Sequence, residues 1–109
     1  MKQGEVVLGA FPGAEAIKTR PAVVLSTEDY HRHRPDVVVG IITSQQPRLL
    51  GPTDYPLTDW QQAGLRLPSF FRLYLVTLPR NEVRRIGILS ERDWNGVRRC
   101  LRAGLGELT

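Results

Sequence analysis

Polar residues stand at several points where apolar stretches of this sequence begin or end. Glu15 and Arg20 bracket a polar loop, and Arg72 interrupts an aromatic run. Thr43 and Ser44 close a long β-branched run. Arginines and hydroxyls can stabilise negative charge and a glutamate can accept a proton, so the set suits acid–base chemistry on an anionic substrate. Taken singly, each residue equally fits a solvated charge or a turn.

The sequence gives little support to metal or thiol chemistry. His31 and His33 lie two apart beside arginines, with no cysteine or carboxylate at ligand spacing, and a solvated loop is expected there. Cys100 falls in a predicted helix beside its apolar stripe, where a thiol usually packs. Neither a Walker nor a Rossmann glycine loop is present. No metal or cofactor is therefore expected.

Length and charge define the class of protein. A chain of 109 residues is expected to form one domain over 1–109. Its net charge is +4, and apart from Lys2 and Lys18 every basic residue is an arginine. The planar guanidinium pairs bidentately with phosphate, which favours nucleic acid or an acidic partner.

Localisation is expected to be cytoplasmic. The sequence contains no apolar run near the roughly 20 residues that a membrane helix needs, and its first residues lack a signal-peptide core. A single cysteine, Cys100, suits a reducing compartment.

The elements that must position these residues are short strands. Strands are predicted at Glu5–Ala10, Pro21–Ser26, Val37–Thr43, Tyr55–Leu57, Gly64–Leu67, Ser69–Leu78 and Val83–Leu89. Gly40, inside the most β-branched of them, indicates a bulge or a bend. One helical turn is predicted around Glu28 to His31. Close spacing of strands and turns favours a small barrel.

A C-terminal amphipathic helix follows the strands. Ser90 begins it as the N-cap, and glycines at 104 and 106 end it. Apolar residues at helical spacing are expected to pack on the barrel: Trp94, Val97, Leu101 and Leu105. Beside them runs a strip of small residues, Gly96, Cys100 and Gly104, which is expected to let the backbone of a partner chain come close.

The order of these blocks resembles the MazF/PemK toxin family. The resemblance rests on Gly4–Leu8, Lys18–Ser26 and Val37–Ser44. It continues through Gly64-Leu65, Pro68-Ser69, Arg72 and Leu89-Ser90 to the final helix, and so covers nearly the whole chain. An Arg-Pro-Ala-Val-Val-Leu-Ser block with Ile-Thr-Ser about twenty residues later is fairly specific in combination.

The resemblance implies a mainly β fold, an SH3-like barrel with a C-terminal helix, that forms a homodimer. It implies a sequence-selective endoribonuclease for single-stranded RNA that a cognate antitoxin holds inactive. In such a reaction the RNA 2′-hydroxyl attacks the adjacent phosphorus, so the protein supplies proton transfer and charge stabilisation without a metal.

Site residues carry over from the resemblance position by position. Arg20 matches the main catalytic arginine, and Thr43 matches the catalytic threonine. Glu15 matches an acid of the active-site loop in some members, and Arg72 matches a strand arginine that acts with a nearby acid in others. Tyr74 stands where some members carry that acid, as an aspartate.

Substrate contacts are expected from Ser44, Lys18, Ser69 and Tyr74. Four aromatic residues could stack on bases or belong to the core: Tyr55, Trp60, Phe70 and Phe71. Two further interpretations remain open. The first is an inactive barrel of this fold that binds RNA or a protein, which the tyrosine at position 74 favours. The second is a structural barrel with a basic surface.

Overall fold

The structure is a computed structural model that describes residues 1–12 and 17–107. The described elements are, in chain order, β1 (Glu5–Pro12), β2 (Ile17–Val24), α1 (Glu28–His33), β3 (Asp36–Thr43), β4 (Asp54–Pro56), β5 (Phe70–Pro79), β6 (Arg84–Ile88) and α2 (Glu91–Leu105). A 3-10 turn at Arg80–Glu82 joins β5 to β6. Neither α-helix is long and apolar enough to cross a membrane within this part of the chain.

The strands form one antiparallel sheet in the order β4-β5-β3-β2-β1-β6. The predicted fold class, mainly β with a C-terminal helix, is confirmed. The sheet is open rather than closed, with β4 and β6 at its edges, but it coils strongly. A Cβ added to Gly9 of β1 would lie 2.7 Å from Leu78 of β5, although β2 and β3 separate these strands. This coiling gives the sheet its barrel-like form.

Both faces of the sheet bury apolar side chains, because successive residues of a strand point to opposite faces. Val6 and Val23 belong to one buried layer, which α2 covers with Val97. Val7 and Val24, their immediate neighbours, belong to a second layer. The valine-rich strands are therefore continuous apolar runs, as expected for strands that are buried on both faces.

Three predicted strand features can be compared with the structure. The second strand begins at Ile17, not at Pro21, so Lys18 and Arg20 lie on a strand instead of a loop. The bulge predicted at Gly40 is confirmed by a register shift between β3 and β5. The strand predicted at Gly64–Leu67 is wrong: the segment is turn, and Gly64 has φ 87°, outside the extended region.

Helix α2 begins where the sequence predicts and ends at Gly106, whereas Gly104, which was also predicted to end it, lies within the helix. Ser90 is the N-cap, and its Oγ accepts a hydrogen bond from the backbone N–H of Asp93 at 3.3 Å. Gly106 terminates the helix with φ 81°. Leu105, which was expected to pack on the sheet, is instead 53% exposed.

The strip of small residues on α2 faces the sheet of its own chain, so the expectation that it admits a partner is wrong. A Cβ on Gly96 would overlap the ring of Tyr55, and one on Gly104 would overlap the side chain of Leu73. Cys100, between them, is 3% exposed and belongs to the core. Small residues here let α2 approach β4 and β5 closely.

His31 is not in a solvated loop, contrary to the sequence-based expectation. It lies on α1 and is 8% exposed. Its Nδ1 is 3.1 Å from the carbonyl oxygen of Met1, and its Nε2 is 2.7 Å from Ser26 Oγ. A neutral ring that donates from Nδ1 and accepts from the serine satisfies both contacts. His31 therefore ties the start of the chain to α1.

Candidate functional site

A groove of about 810 Å³ lies where β1, β2, β3 and β6 meet the loop that joins β4 to β5. Of the eight residues that the sequence nominates for catalysis or substrate binding, five line it: Lys18, Arg20, Thr43, Ser44 and Ser69. Residues as far apart in sequence as Lys18 and Ser69 thus share one concave surface.

Strand β2 carries the first two of these side chains. Arg20 pairs with Gly9 of β1 across the hairpin and is half-buried, whereas Lys18 is exposed. Pro21, which follows, pairs with Leu8 and also lines the groove. A strand holds its side chains at a fixed spacing, so Arg20 has a better-defined position here than it would have in a loop.

Thr43 ends β3 with its hydroxyl oriented by the backbone. Its Oγ1 accepts a hydrogen bond from the N–H of Gln45 at 3.1 Å. Because the oxygen already accepts, the hydroxyl proton remains available for donation to a ligand. Ser44 is exposed beside it in the same turn.

The Ser69 hydroxyl is less available to a ligand than that of Thr43. It is buried, and its Oγ donates to the carbonyl oxygen of Leu67 at 2.7 Å. That bond uses the hydroxyl proton, so toward a ligand Ser69 presents an acceptor. Its clearest contribution in this structure is to fix the turn before β5.

Two groove arginines were missed by sequence reasoning. Arg66 lies in the loop between β4 and β5, and Arg84 begins β6. Both looked like ordinary surface arginines in the sequence. Their place in the groove depends on the pairing of β6 with β1, where Arg84 lies opposite Leu8. No local signal reports such long-range pairing.

The groove is positively charged. Four cationic side chains line it, and none of its described lining residues is a carboxylate or a histidine. These cations are Lys18, Arg20, Arg66 and Arg84. Within residues 1–12 and 17–107 none of the four forms an ion pair. Uncompensated positive charge in a concave surface attracts anions.

Outside the groove, six arginines form ion pairs, whereas Arg48, Arg80, Arg98 and Arg99 form none within the described residues. The observed pairs are Arg32–Asp29, Arg34–Asp36, Arg72–Asp54, Arg85–Glu5, Arg92–Asp59 and Arg102–Glu107. What distinguishes the groove is that its four cations share one concave surface without a carboxylate among its described lining residues.

The loop that carries Arg66 is anchored to the start of α2 by a buried carboxylate. Asp93 is 0% exposed. Its Oδ1 accepts from the Tyr55 hydroxyl at 2.8 Å and from the Thr58 N–H at 3.0 Å. Its Oδ2 accepts from the Asp59 N–H at 2.7 Å. Three donors and the helix N-terminus compensate the buried charge.

Asp59 adds a second attachment between this loop and α2. Both of its oxygens accept from the Arg92 guanidinium at 2.8 Å, and Oδ2 also accepts from the Ser90 hydroxyl at 2.5 Å. The bonds from Arg92, and then that from Ser90, lower the pKa of Asp59 to about 2. Asp59 is thus ionised at every pH at which the protein would be used.

Close backbone contact holds the far side of the loop against β6. A Cβ on Gly64 would overlap the carbonyl oxygen of Ile86, and one on Gly87 would overlap that of Ala63. Only glycine permits this approach. The contact sets the loop, and with it Arg66, beside the strand that carries Arg84.

The remaining predicted site residues lie elsewhere. Arg72 and Tyr74 share the outer face of β5 and do not line the groove. Arg72 pairs across the sheet with Asp54, and its Nε is 3.9 Å from that carboxylate. Asp54 is thus an acid beside Arg72 supplied by the neighbouring strand. Glu15 falls outside the described residues.

The aromatic candidates for base stacking belong to the interior. Phe71 is fully buried, and Tyr55 and Trp60 pack against the same core. Phe70 is half-buried, and none of the four lines the groove. The packing role expected for Cys100 is confirmed, because the side chain is buried in the core. This burial, and then the charge of Asp54, raises the pKa of its thiol.

Comparison with protein families decides the relationship. Residues 2–105 match the family of PemK-like, MazF-like toxins of type II toxin–antitoxin systems. The chain belongs to this family. A sequence search of curated proteins gives no significant match.

Solved structures agree with the PemK/MazF assignment at the level of the fold. An endoribonuclease from a mycobacterial species, in complex with its cognate antitoxin, has a TM-score of 0.78 at 20% identity, over 100% of this chain and 98% of that one. For the Mycobacterium tuberculosis toxin MazF-mt6 the TM-score is 0.77 at 21% identity, over 96% and 99%. A MazE–MazF complex from Deinococcus radiodurans gives 0.76 at 20%, over 99% and 98%.

Proposed function

We propose that this PemK/MazF-like chain is a metal-independent endoribonuclease that cleaves single-stranded RNA, mRNA in particular, as the toxin of a toxin–antitoxin pair. The observation that supports it most is the groove that Arg20 and Thr43 line together with cations that form no ion pair within residues 1–12 and 17–107. Attack of the RNA 2′-hydroxyl on the adjacent phosphorus breaks the bond to the 5′-oxygen. The products are a 2′,3′-cyclic phosphate and a 5′-hydroxyl end.

Arg20 and Thr43 stabilise the charge that develops on the phosphoryl oxygens. Arginine does not give up its proton near neutral pH, so Arg20 acts as an electrostatic donor and not as the base. Thr43 donates its hydroxyl proton, since its oxygen is already engaged by Gln45. Lys18 and Ser44 bind the substrate beside them. Donors that are held in place before the reaction are the most effective kind.

The proton acceptor is Glu15, by inference from the sequence. None of the described groove residues carries a carboxylate or an imidazole, and Glu15 is the acid nearest to Lys18 and Arg20 in the chain. Tyr74 lies on the exposed face of β5 and does not line the groove, so it is not placed to take the proton. Glu15→Gln should therefore slow cleavage far more than Tyr74→Phe; the reverse order would exclude this assignment.

Partners follow from the same assignment. The mycobacterial neighbour is an endoribonuclease in complex with its cognate antitoxin, and the Deinococcus radiodurans neighbour is a MazE–MazF complex. We propose that this chain likewise binds a cognate antitoxin, acts as a homodimer and works in the cytoplasm. Sedimentation at tens of micromolar that gave only a 12.3 kDa species would contradict the dimer.

One observation favours a second candidate, a barrel that binds RNA without cleaving it. The groove has cations but, among its described residues, no group able to accept a proton near neutral pH. Such a protein would retain RNA affinity and salt dependence and show no turnover. Equal binding by the wild type and Glu15→Gln, with cleavage by neither, would support this candidate over the enzyme.

The test of the enzyme is end-labelled RNA cleavage with analysis of the product ends. Arg20→Ala should lower the rate by roughly 10²-fold or more, as loss of one preorganised donor does elsewhere. Arg20→Lys should recover only part of the rate, because the fork geometry is lost. Arg98→Ala, on the exposed face of α2, is the matched control and should cleave normally. Near-normal cleavage by a folded Arg20→Ala protein would remove Arg20 from the site.

A further inference from the structure

The two arginines that sequence reasoning missed point to a longer binding site. Arg66 and Arg84 line the same groove as Arg20 and are exposed. Arg20 of β2 pairs with Gly9, and Arg84 of β6 pairs with the adjacent Leu8, so β1 lies between the strands that carry the two arginines. With strands about 4.8 Å apart, the backbones of β2 and β6 are separated there by about 10 Å.

We infer that Arg66 and Arg84 form a second phosphate-binding subsite, for the phosphate that neighbours the one held by Arg20 and Thr43. This inference rests on the proposed function for the groove and adds to it the length of RNA required. The ligand is the backbone of an unpaired strand with at least two phosphates.

Three observations support a second subsite. The volume of about 810 Å³ lies in the range of pockets that hold drug-sized ligands and far exceeds one phosphate group. The cations come from separate segments: Lys18 and Arg20 from β2, Arg84 from β6 and Arg66 from the loop before β5. The loop that carries Arg66 is also rigidly held, through the glycine contact between residues 64 and 87 and the Asp93 anchor.

The composition of the groove indicates that phosphate contacts dominate binding. Its described lining includes no aromatic ring on which a base could stack, although stacking is the usual way of holding splayed bases. Contacts to phosphates carry no sequence information themselves. They set the register of the strand on the protein, so a second phosphate contact fixes which linkage lies against Arg20.

The test uses thymidine oligonucleotides without terminal phosphates, which bind but lack the 2′-hydroxyl needed for cleavage. A dinucleotide offers one phosphate and a hexanucleotide offers several. Arg84→Gln and Arg66→Gln should each lower the affinity for the hexanucleotide about fivefold and leave the affinity for the dinucleotide unchanged. Each should also reduce the slope of log affinity against log salt by about 0.7 for the hexanucleotide. Arg98→Gln, outside the groove, should change neither.

Three results would overturn the second subsite. Equal losses for both probes would mean that all four cations converge on one phosphate. No loss for either probe would mean that Arg66 and Arg84 do not touch the backbone. A loss from Arg98→Gln as large as the others would reduce the effect to overall charge. Since no probe is cleaved, a protein without ribonuclease activity can still show the predicted pattern, and an active one can fail to show it.

Discussion

Asp93→Asn offers a quantitative test of how the groove wall is held. The substitution preserves volume but replaces one acceptor oxygen with an amide nitrogen that can only donate. If the side-chain oxygen of the introduced asparagine takes the place of Oδ1, beside Tyr55 and Thr58, its NH₂ group faces the Asp59 N–H, and two donors then point at each other. In the flipped orientation it opposes the Thr58 N–H instead. Either way one backbone N–H loses its partner, next to a side chain that is 0% exposed.

An unsatisfied buried donor costs about 1–3 kcal/mol, and loss of a negative charge in the first turn of a helix costs about 0.3–1 kcal/mol. Asp93→Asn should therefore lower the free energy of unfolding by about 1.3–4 kcal/mol. Tyr55→Phe removes one donor and leaves Asp93 two backbone partners, so it should cost about 1 kcal/mol. Because Asp93 anchors the loop that carries Arg66, a folded Asp93→Asn protein should also bind RNA more weakly.

Urea unfolding measures both variants, with stability taken from the midpoint at constant m. The predicted order is wild type, then Tyr55→Phe, then Asp93→Asn. An Asp93→Asn protein within about 0.5 kcal/mol of wild type would show that the buried carboxylate does not anchor the loop. The same conclusion would follow if Tyr55→Phe proved the more damaging change.

Three further predictions concern the loop, an acidic group and the helix. Gly87→Ala places a Cβ against the Ala63 carbonyl and should destabilise by about 1–3 kcal/mol in urea unfolding; a neutral effect would deny the close contact. Asp59, whose pKa is lowered to about 2, stabilises the fold when ionised; its contribution is complete above its unfolded pKa near 4 and disappears as the pH falls through 2. The Tm difference between wild type and Asp59→Asn should therefore be constant above about pH 5 and vanish near pH 2; a constant difference down to that pH would contradict the Arg92 pairing. Gly96→Ala should lower Tm without changing the sedimentation coefficient, since the residue faces its own sheet. A changed sedimentation coefficient with an unchanged Tm would instead show that this face of α2 contacts a partner chain.

Local signals predicted a large part of the fold. The Ser90 cap, the glycine after α2 and the bulge at Gly40 each depend on a residue and its immediate neighbours, and each is confirmed. The failed predictions required knowledge of what packs where. Gly64 looked like part of a strand because its turn conformation is set by contact with β6. The small strip on α2 looked like a partner surface because Tyr55 and its neighbours are distant in sequence.

The candidate site divides in the same way. Strand ends with unusual polar residues, Arg20 and Thr43, could be recognised from the sequence and lie together in the groove. Arg66 and Arg84 could not, because their place depends on how β6 and the preceding loop fold against β1. The acid beside Arg72 was sought at position 74 on the same strand, whereas Asp54 of the neighbouring strand lies there.

Cleavage of single-stranded RNA in excess EDTA tests the central claim most directly. RNA carries its own nucleophile, and the groove supplies cations that stabilise the phosphoryl charge, so the rate should be unchanged by the chelator. An otherwise identical RNA with a single 2′-deoxy residue at the cleaved linkage should resist cleavage there. Abolition by EDTA with recovery on adding Mg²⁺, or cleavage at the 2′-deoxy linkage, would contradict the proposed mechanism.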